Sequence, residues 1–402
     1  MGESVRESTT VVVIGAGVAG LTAATLLRRR GVESVVLECR PRHVVEQRQR
    51  AGVVEYRAVE MFERWGLAAD LLGDAPPDDT LELRVDGEAH LLDLSPAPGS
   101  AFAARGAAAH GRLCPQQQLV RRLVATLART GDLRFDVTDV SLTGLAGLRP
   151  VVRYVDPAGA PHDIECDYIA GCDGQHGVSR ASLPPGAITA YTLDHGIVWL
   201  TVLADVPPPA HPLLAVSPGG LAAHFSRGPG VSRFYLECPP GSRAEGWSHE
   251  LIWQELRDRL GDPALPRGPI SQLETFDLRT VVHEPMSYRQ LFLLGDAAHV
   301  IPPIGGKGMN LALHDAEVFA EAVAQATTTG VTSGLLGYSD TCLRRVWNYV
   351  EFSHWMSEML HDAGDGHRRG PVSHRTARAR LQRLLTSDAE RRRFADLMLG
   401  IA

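Results

Sequence analysis

Gly15, Gly17, Gly20 and Glu38 have the residue types and spacing to bind a dinucleotide. In G-x-G-x-x-G the first glycine permits a tight turn, the second lets backbone approach a pyrophosphate at a helix N-terminus, and the third lets helix and strand pack closely. Glu38, at the end of the next apolar run, has the charge and position to accept a ribose 2′-hydroxyl. Gly295-Asp296 leads into a proline- and glycine-rich loop, Pro302 to Gly308, that opens another helix and so brings backbone N–H groups to a second helix N-terminus. Asp173-Gly174 closes a strand on a turn. The basic stretch after Glu38, PRHVVEQRQRAGVVEY, holds Arg50-Ala51-Gly52; its arginines suit a phosphate or a cofactor edge, and equally solvent.

The elements that must position these groups are legible from periodicity. A buried strand over 11–14 runs into an Ala/Leu-rich helix, and a second strand ends at Glu38. A short helix is predicted over 59–67, broken by Ala75-Pro76-Pro77, and a strand pair over 81–94. Leu119, Val120, Leu123, Val124 and Leu127 make 116–130 an amphipathic helix. Strands are predicted over 133–140, 151–155 and 166–170. From 197 to 278 the texture changes to short apolar runs between Pro and Gly, with one helix over 251–260, which marks a mostly β domain inserted into an α/β one. The apolar strand 291–294 precedes Gly295, and helices are predicted from 309 to about 324, over 335–360 and over 375–397. The predicted division is 1–185 with a small strand insertion near 78–106, then 186–280, then 281–402.

A chain of 402 residues with a formal net charge of −7 and charges of both signs scattered is a multidomain globular protein. Neither nucleic acid nor an anionic membrane is indicated as its partner. Cys39, Cys114, Cys166, Cys172, Cys238 and Cys342 show no C-x-x-C pair, so no metal site or disulfide framework is indicated. The uncharged stretch 11–27 carries the glycine fingerprint and follows Glu3 and Glu7, so it reads as neither signal nor span, and a cytoplasmic location is expected.

Three segments, the fingerprint with Glu38, CDYIAGCDGQHGVSR at 166–180 and LFLLGDAAHVIPPIGGKGMN at 291–310, together resemble the class A flavoprotein aromatic monooxygenases, in particular the 4-hydroxybenzoate 3-monooxygenase group. The resemblance implies a Rossmann-like FAD-binding domain, an inserted substrate domain and a helical C-terminal region that forms an interface, as in a homodimer. It implies non-covalent FAD, with Glu38 at the adenosine ribose, Arg50 and Gln116 along the FAD chain, and Asp296 at the ribityl hydroxyls. Pro303 and Lys307, Gly308, Met309 and Asn310 would lie beside the flavin ring, where helix N–H groups and Lys307 favour negative charge on the reduced ring. Asp173-Gly174 resembles the family's second fingerprint, with His176, Arg180 and Arg279 as contacts to NADH or NADPH. Arg227 and Tyr235 match the residues that bind a benzoate carboxylate, a task suited to a guanidinium fork.

The departures from the family pattern are Phe225 for a serine, Ile304 for a threonine, and Leu214 and Met398 for two tyrosines; the relay histidine falls near Asp78. The resemblance implies a mechanism through a flavin C4a-hydroperoxide whose distal oxygen attacks an electron-rich ring. Without the tyrosine relay, an amino- or aminohydroxybenzoate is the expected refinement, beside 4-hydroxybenzoate 3-hydroxylation itself. The Trp-x-Trp-x-Ile-Pro segment of flavin halogenases is absent. The rival outside enzymes is a flavin-binding sensor or an aromatic-ligand sequestering protein, which would show no substrate-stimulated NAD(P)H oxidation.

Overall fold

The computed structural model describes residues 4–47, 51–96, 110–129, 133–364 and 368–401. The strand Val5–Ile14 is central to the first sheet, parallel to Ser34–Leu37 on one side and to Pro161–Gly171 on the other; Leu291–Leu293 extends the sheet beyond Pro161–Gly171. Both faces of this strand are covered. Val11 and Val13 pack with the helices Val18–Arg29, Gln116–Leu127 and Lys307–Thr329, while Val12 and Ile14 pack with the antiparallel strands Thr138–Thr143 and Val151–Val155. A continuous β-branched run is what a parallel strand buried on two faces requires.

Among the described residues the second sheet has eight strands, with Thr189–Ala204 and Ile270–Glu284 paired along most of their length. Its faces alternate with period two. Leu200, Val202, Phe234 and Leu236 pack with residues of the helix His249–Leu260. Trp199, Leu214, Val216 and Ala223 pack with the helices Tyr338–Gly364, Pro371–Thr386 and Asp388–Leu399. The strand pair expected as an insertion in the first domain is the hairpin Thr80–Val85 and Glu88–Asp93, and it belongs to this second sheet. Thr80–Val85 pairs in parallel with Leu213–Ser217, and Leu81 and Leu83 are buried in the same apolar cluster. The part of that insertion from 97 lies outside the described residues.

Several boundaries differ from the sequence expectation for local reasons. The strand expected over 133–140 is two pieces, Leu133–Arg134 and Thr138–Thr143, parted by Asp136 at φ 59°. The helix expected over 375–397 is two helices, because Ser387 turns extended and caps the second, accepting from the Glu390 amide. The helix expected from 309 starts at Lys307, and the region expected as one helix over 335–360 is a single-turn helix, Ser333–Leu336, followed by Tyr338–Gly364. Among the described residues no helix is long and apolar enough to cross a membrane.

Candidate active site

The first fingerprint divides its glycines by job. Gly15 has φ 105°, and a Cβ there would run into the Cys172 carbonyl; a Cβ on Gly20 would overlap the Gly15 carbonyl oxygen. A Cβ on Gly17 would meet nothing within 4 Å. Packing therefore requires glycine at 15 and 20, whereas at 17 the chain faces space, in front of a helix that begins at Val18 with no side-chain cap. Glu38 is fixed at the same turn: Oε2 accepts from the Ala16 amide at 2.7 Å and Oε1 from the Arg40 amide at 2.9 Å. Each carboxylate oxygen keeps capacity for a further donor.

At the second fingerprint, Asp173 Oδ2 accepts from the Ser179 amide at 2.8 Å, while its Oδ1 is buried with no hydrogen-bond partner among the described residues. Burial pushes this carboxyl above its usual range. Arg180 donates to the Ala297 carbonyl at 2.8 Å, next to the half-buried Asp296. His176 is exposed, and Arg279 is exposed with Asp194 and Asp277 each at 3.9 Å. The turn carrying Asp296 has a support that the sequence did not suggest. Asp315 Oδ2 accepts from the Gly295 amide at 2.9 Å and meets His299 Nε2 at 2.7 Å, both side chains being buried. Burial opposes a charge on His299, but the Asp315 carboxylate outweighs it and raises the imidazole pKa.

The polar side chains expected along the cofactor grip the segment 51–55 in the structure. The Gln116 side-chain oxygen accepts from the Ala51 amide at 3.2 Å, and the Gln116 backbone N–H donates back to the Ala51 carbonyl at 2.9 Å. Asn310 accepts from the Glu55 amide at 3.0 Å and donates to the Val53 carbonyl at 3.2 Å. Lys307 is buried on Glu55 at 3.0 Å. Arg50 lies outside the described residues. The exposed Pro303 accepts from the Gly306 amide at 2.9 Å, Met309 packs in the first core, and a Cβ on Gly308 would meet nothing within 4 Å. Gly308, like Gly17, thus faces space at a helix N-terminus.

The residues matched to the family's substrate region converge. Leu214 and Ile304 are buried in one apolar cluster, and Phe225, Tyr235 and Met398 pack half-buried against it. Trp199 and Phe276, which the sequence reading missed, complete the wall: ring centroids lie 5.0 Å apart for Trp199 and Tyr235, 5.8 Å for Phe225 and Tyr235, and 5.9 Å for Trp199 and Phe276. Arg227 stands at one end, 9% exposed, donating to the Ser226 carbonyl at 2.8 Å and to the Tyr235 hydroxyl at 3.4 Å. A separate cleft of about 760 Å³ opens at the Gly220 end of the strand Gly220–Gly228, opposite the end bearing Arg227. Its cations are already engaged, Arg259 by Glu255, Arg368 by Asp362 and Arg369 by Glu358.

Comparison with known proteins gives the family and the fold. The family model described as FAD binding domain matches residues 8–353. A p-hydroxybenzoate hydroxylase of Acinetobacter baylyi is 35% identical over 400 residues, 98% of this chain and 95% of that protein. A kynurenine 3-monooxygenase of Salinispora tropica is 29% identical over 350 residues, 79% of this chain and 73% of that protein. Among solved structures, a p-nitrophenol 4-monooxygenase of Pseudomonas putida shares the fold, with a TM-score of 0.80 at 19% identity, covering 98% of this chain and 99% of that one.

Proposed function

The chain belongs to the FAD-binding-domain family of flavin-dependent aromatic monooxygenases, and from that premise we propose that it hydroxylates the ring of a substituted benzoate. Arg227 carries the reading: a buried guanidinium beside the Tyr235 hydroxyl, at the edge of an apolar and aromatic wall, suits a planar ring with one carboxylate.

The residues present fit FAD. Gly17 leaves room in front of one helix N-terminus and Gly308 beside the first turn of another, and Asp173 offers a buried acceptor oxygen. The amides after Gly17, with Glu38, Asp173 and Asp296, would hold the cofactor's polar parts, and the amides from Lys307 onward would favour negative charge on the reduced ring. Because Glu55 neutralises Lys307, that favourable potential comes mainly from the helix N-terminus. When bound, FAD supplies the redox chemistry, accepting hydride from NADH or NADPH and activating molecular oxygen for attack on the ring. His176, Arg180 and Arg279 are our proposed contacts for the nicotinamide nucleotide. The chain's own work is to bind the ring by its carboxylate, hold it in one plane against Phe225, Tyr235 and Ile304, and exclude water.

Leu214 and Met398 have no side-chain group to take a phenol proton, which favours a ring already enriched by an amino substituent. A homodimer built on the C-terminal helices is our expected assembly. The test is a panel of benzoates scored for NAD(P)H consumption and hydroxylated product. A flavin-binding protein without turnover would give no substrate-stimulated oxidation.

A further inference from the structure

We infer that Gly52 determines specificity by lacking a side chain, so that the segment 51–55 of the flavin domain forms a flat platform fixing the guanidinium of Arg227 in the substrate domain. The inference rests on Arg227 as the carboxylate anchor proposed above.

The backbone does not demand glycine at 52, since its φ is outside the left-handed range. What occupies the side-chain space is Arg227. A Cβ built on Gly52 would lie 2.8 Å from Nη1, 3.4 Å from Cζ and 3.8 Å from Nη2, so the guanidinium lies over the Gly52 Cα. The platform is held from two sides. Gln116 exchanges two hydrogen bonds with Ala51, and Asn310 bonds the Val53 carbonyl and the Glu55 amide. Val53 and Val54 also pair with Leu113 and Arg112. The guanidinium is therefore confined by Gly52 below and by Ser226 and Tyr235 on its own sheet.

A methyl group at 52 must move something. The segment is pinned, whereas the nearest atom is the far end of a flexible side chain, so the fork yields and the fold remains. Carboxylate recognition by a guanidinium depends on the direction of its N–H bonds, so a small displacement weakens it. A ring without the carboxylate is indifferent to the change.

The experiment is calorimetric titration of the FAD-loaded protein with 3-amino-4-hydroxybenzoate and with its carboxamide. Gly52→Ala is expected to weaken binding of the acid about tenfold or more, to leave the carboxamide and the melting temperature unchanged, and to add nothing in an Arg227→Ala background. Equal weakening of acid and carboxamide, unchanged affinity for the acid, or losses that add to those of Arg227→Ala overturn the inference. So does a Gly52→Ala protein that fails to fold while the Gly52→Ala, Arg227→Ala double variant fails as well, because the methyl would then strike something other than Arg227. If Arg227→Ala itself leaves the affinity for the acid unchanged, the carboxylate reading falls and takes the platform with it. An effect of Arg227→Ala without one of Gly52→Ala removes the platform alone.

Discussion

The Lys307 ammonium lies 3.0 Å from a Glu55 carboxylate oxygen, and each side chain is 1% exposed. Arg345 reaches the other oxygen, and the Tyr349 hydroxyl sits 2.8 and 2.9 Å from the two. Lys307 also donates to the Met398 carbonyl at 2.7 Å. One carboxylate thus gathers the start of the helix Lys307–Thr329, the 51–55 segment and the C-terminal segment that brings Met398 to the pocket. Burial alone would raise the Glu55 pKa, but Lys307, Arg345 and Tyr349 outweigh it and hold the carboxyl below its usual range.

Breaking this cluster from one side leaves a buried charge without its counterpart. Glu55→Gln or Lys307→Met should each cost about 3–5 kcal/mol of stability, and the double change should cost less than their sum. The contribution of Glu55 is present above the ordinary value of 4.5 and lost as pH falls through the depressed folded value. Denaturant unfolding of the three variants at neutral and acid pH measures both effects, and strict additivity would dissolve the pair.

Gly17 and Gly20 should respond oppositely to alanine. Gly20→Ala places a methyl group onto the Gly15 carbonyl and should destabilise the apoprotein by roughly 1–3 kcal/mol, as overpacking does. Gly17→Ala has room and an ordinary φ of −75°, so apoprotein stability should hold while FAD retention falls. Melting temperature and flavin absorbance after gel filtration separate the two. Full FAD retention by Gly17→Ala would count against the pyrophosphate reading.

Much of the fold was legible because its signals are local. Four apolar residues before Gly15 declare a buried strand, and three glycines at fixed spacing declare the turn, its space and its packing. The pocket was legible only through resemblance, since Leu214 and Phe225 lie on one hairpin while Ile304 and Met398 come from two distant segments, with no shared period. Glu55 and Lys307 were not legible as a pair: 252 residues separate them, and nothing nearby tells a buried glutamate from a solvated one. His299 and Asp315 are only 16 residues apart, but no local pattern marks them as a buried pair. The sheet that the strand pair near 81–94 joins was not legible, because its alternation gives its faces but not its partner strand, which is Leu213–Ser217.

Acid should weaken the protein through neutral buried histidines. His361 accepts from Trp199 Nε1 at 2.8 Å and donates from Nδ1 to the Ser357 carbonyl at 2.8 Å, and burial lowers its pKa to about 3. His224, buried against Phe234, is lowered by burial to about 4. Both folded values lie below the ordinary 6.5, so the unfolded chain takes up protons first. Stability is full above about pH 6.5 and falls below it by about 1.4 kcal/mol per pH unit for each such group. Urea midpoints between pH 7.5 and 5, about the range where histidines titrate, should fall less steeply for His361→Gln. Equal slopes would remove His361 from the account.

Arg227→Ala should weaken binding of a benzoate by roughly 2–4 kcal/mol while leaving FAD content unchanged. Lysine should restore only part, since it lacks the planar fork. Titration of each variant with a carboxylate-bearing ring gives the numbers, and an unchanged affinity in the alanine variant would make Arg227 a structural residue.

The enzyme should favour an amino-bearing benzoate over plain 4-hydroxybenzoate. Leu214 and Met398 lie on the apolar cluster with side chains that neither accept nor relay a proton, and Phe225 and Ile304 add bulk where smaller polar residues would leave room. A phenol facing that wall loses hydrogen bonds it had in water, at a cost on the order of 1–3 kcal/mol. Attack by an electrophilic oxygen also needs a ring rich in electrons, which phenol deprotonation would provide and the side chains of Leu214 and Met398 do not assist. An amino group raises electron density without that deprotonation, so it offsets the missing relay. The measurement compares 4-hydroxybenzoate, 3-amino-4-hydroxybenzoate and 4-aminobenzoate by hydroxylated product formed per NAD(P)H consumed. The amino compounds should give the tighter coupling, because a slowly reacting ring leaves more time for activated oxygen to be lost to water. Tight coupling on 4-hydroxybenzoate, at a rate equal to or above the amino compounds, would show that the apolar wall does not set the substrate.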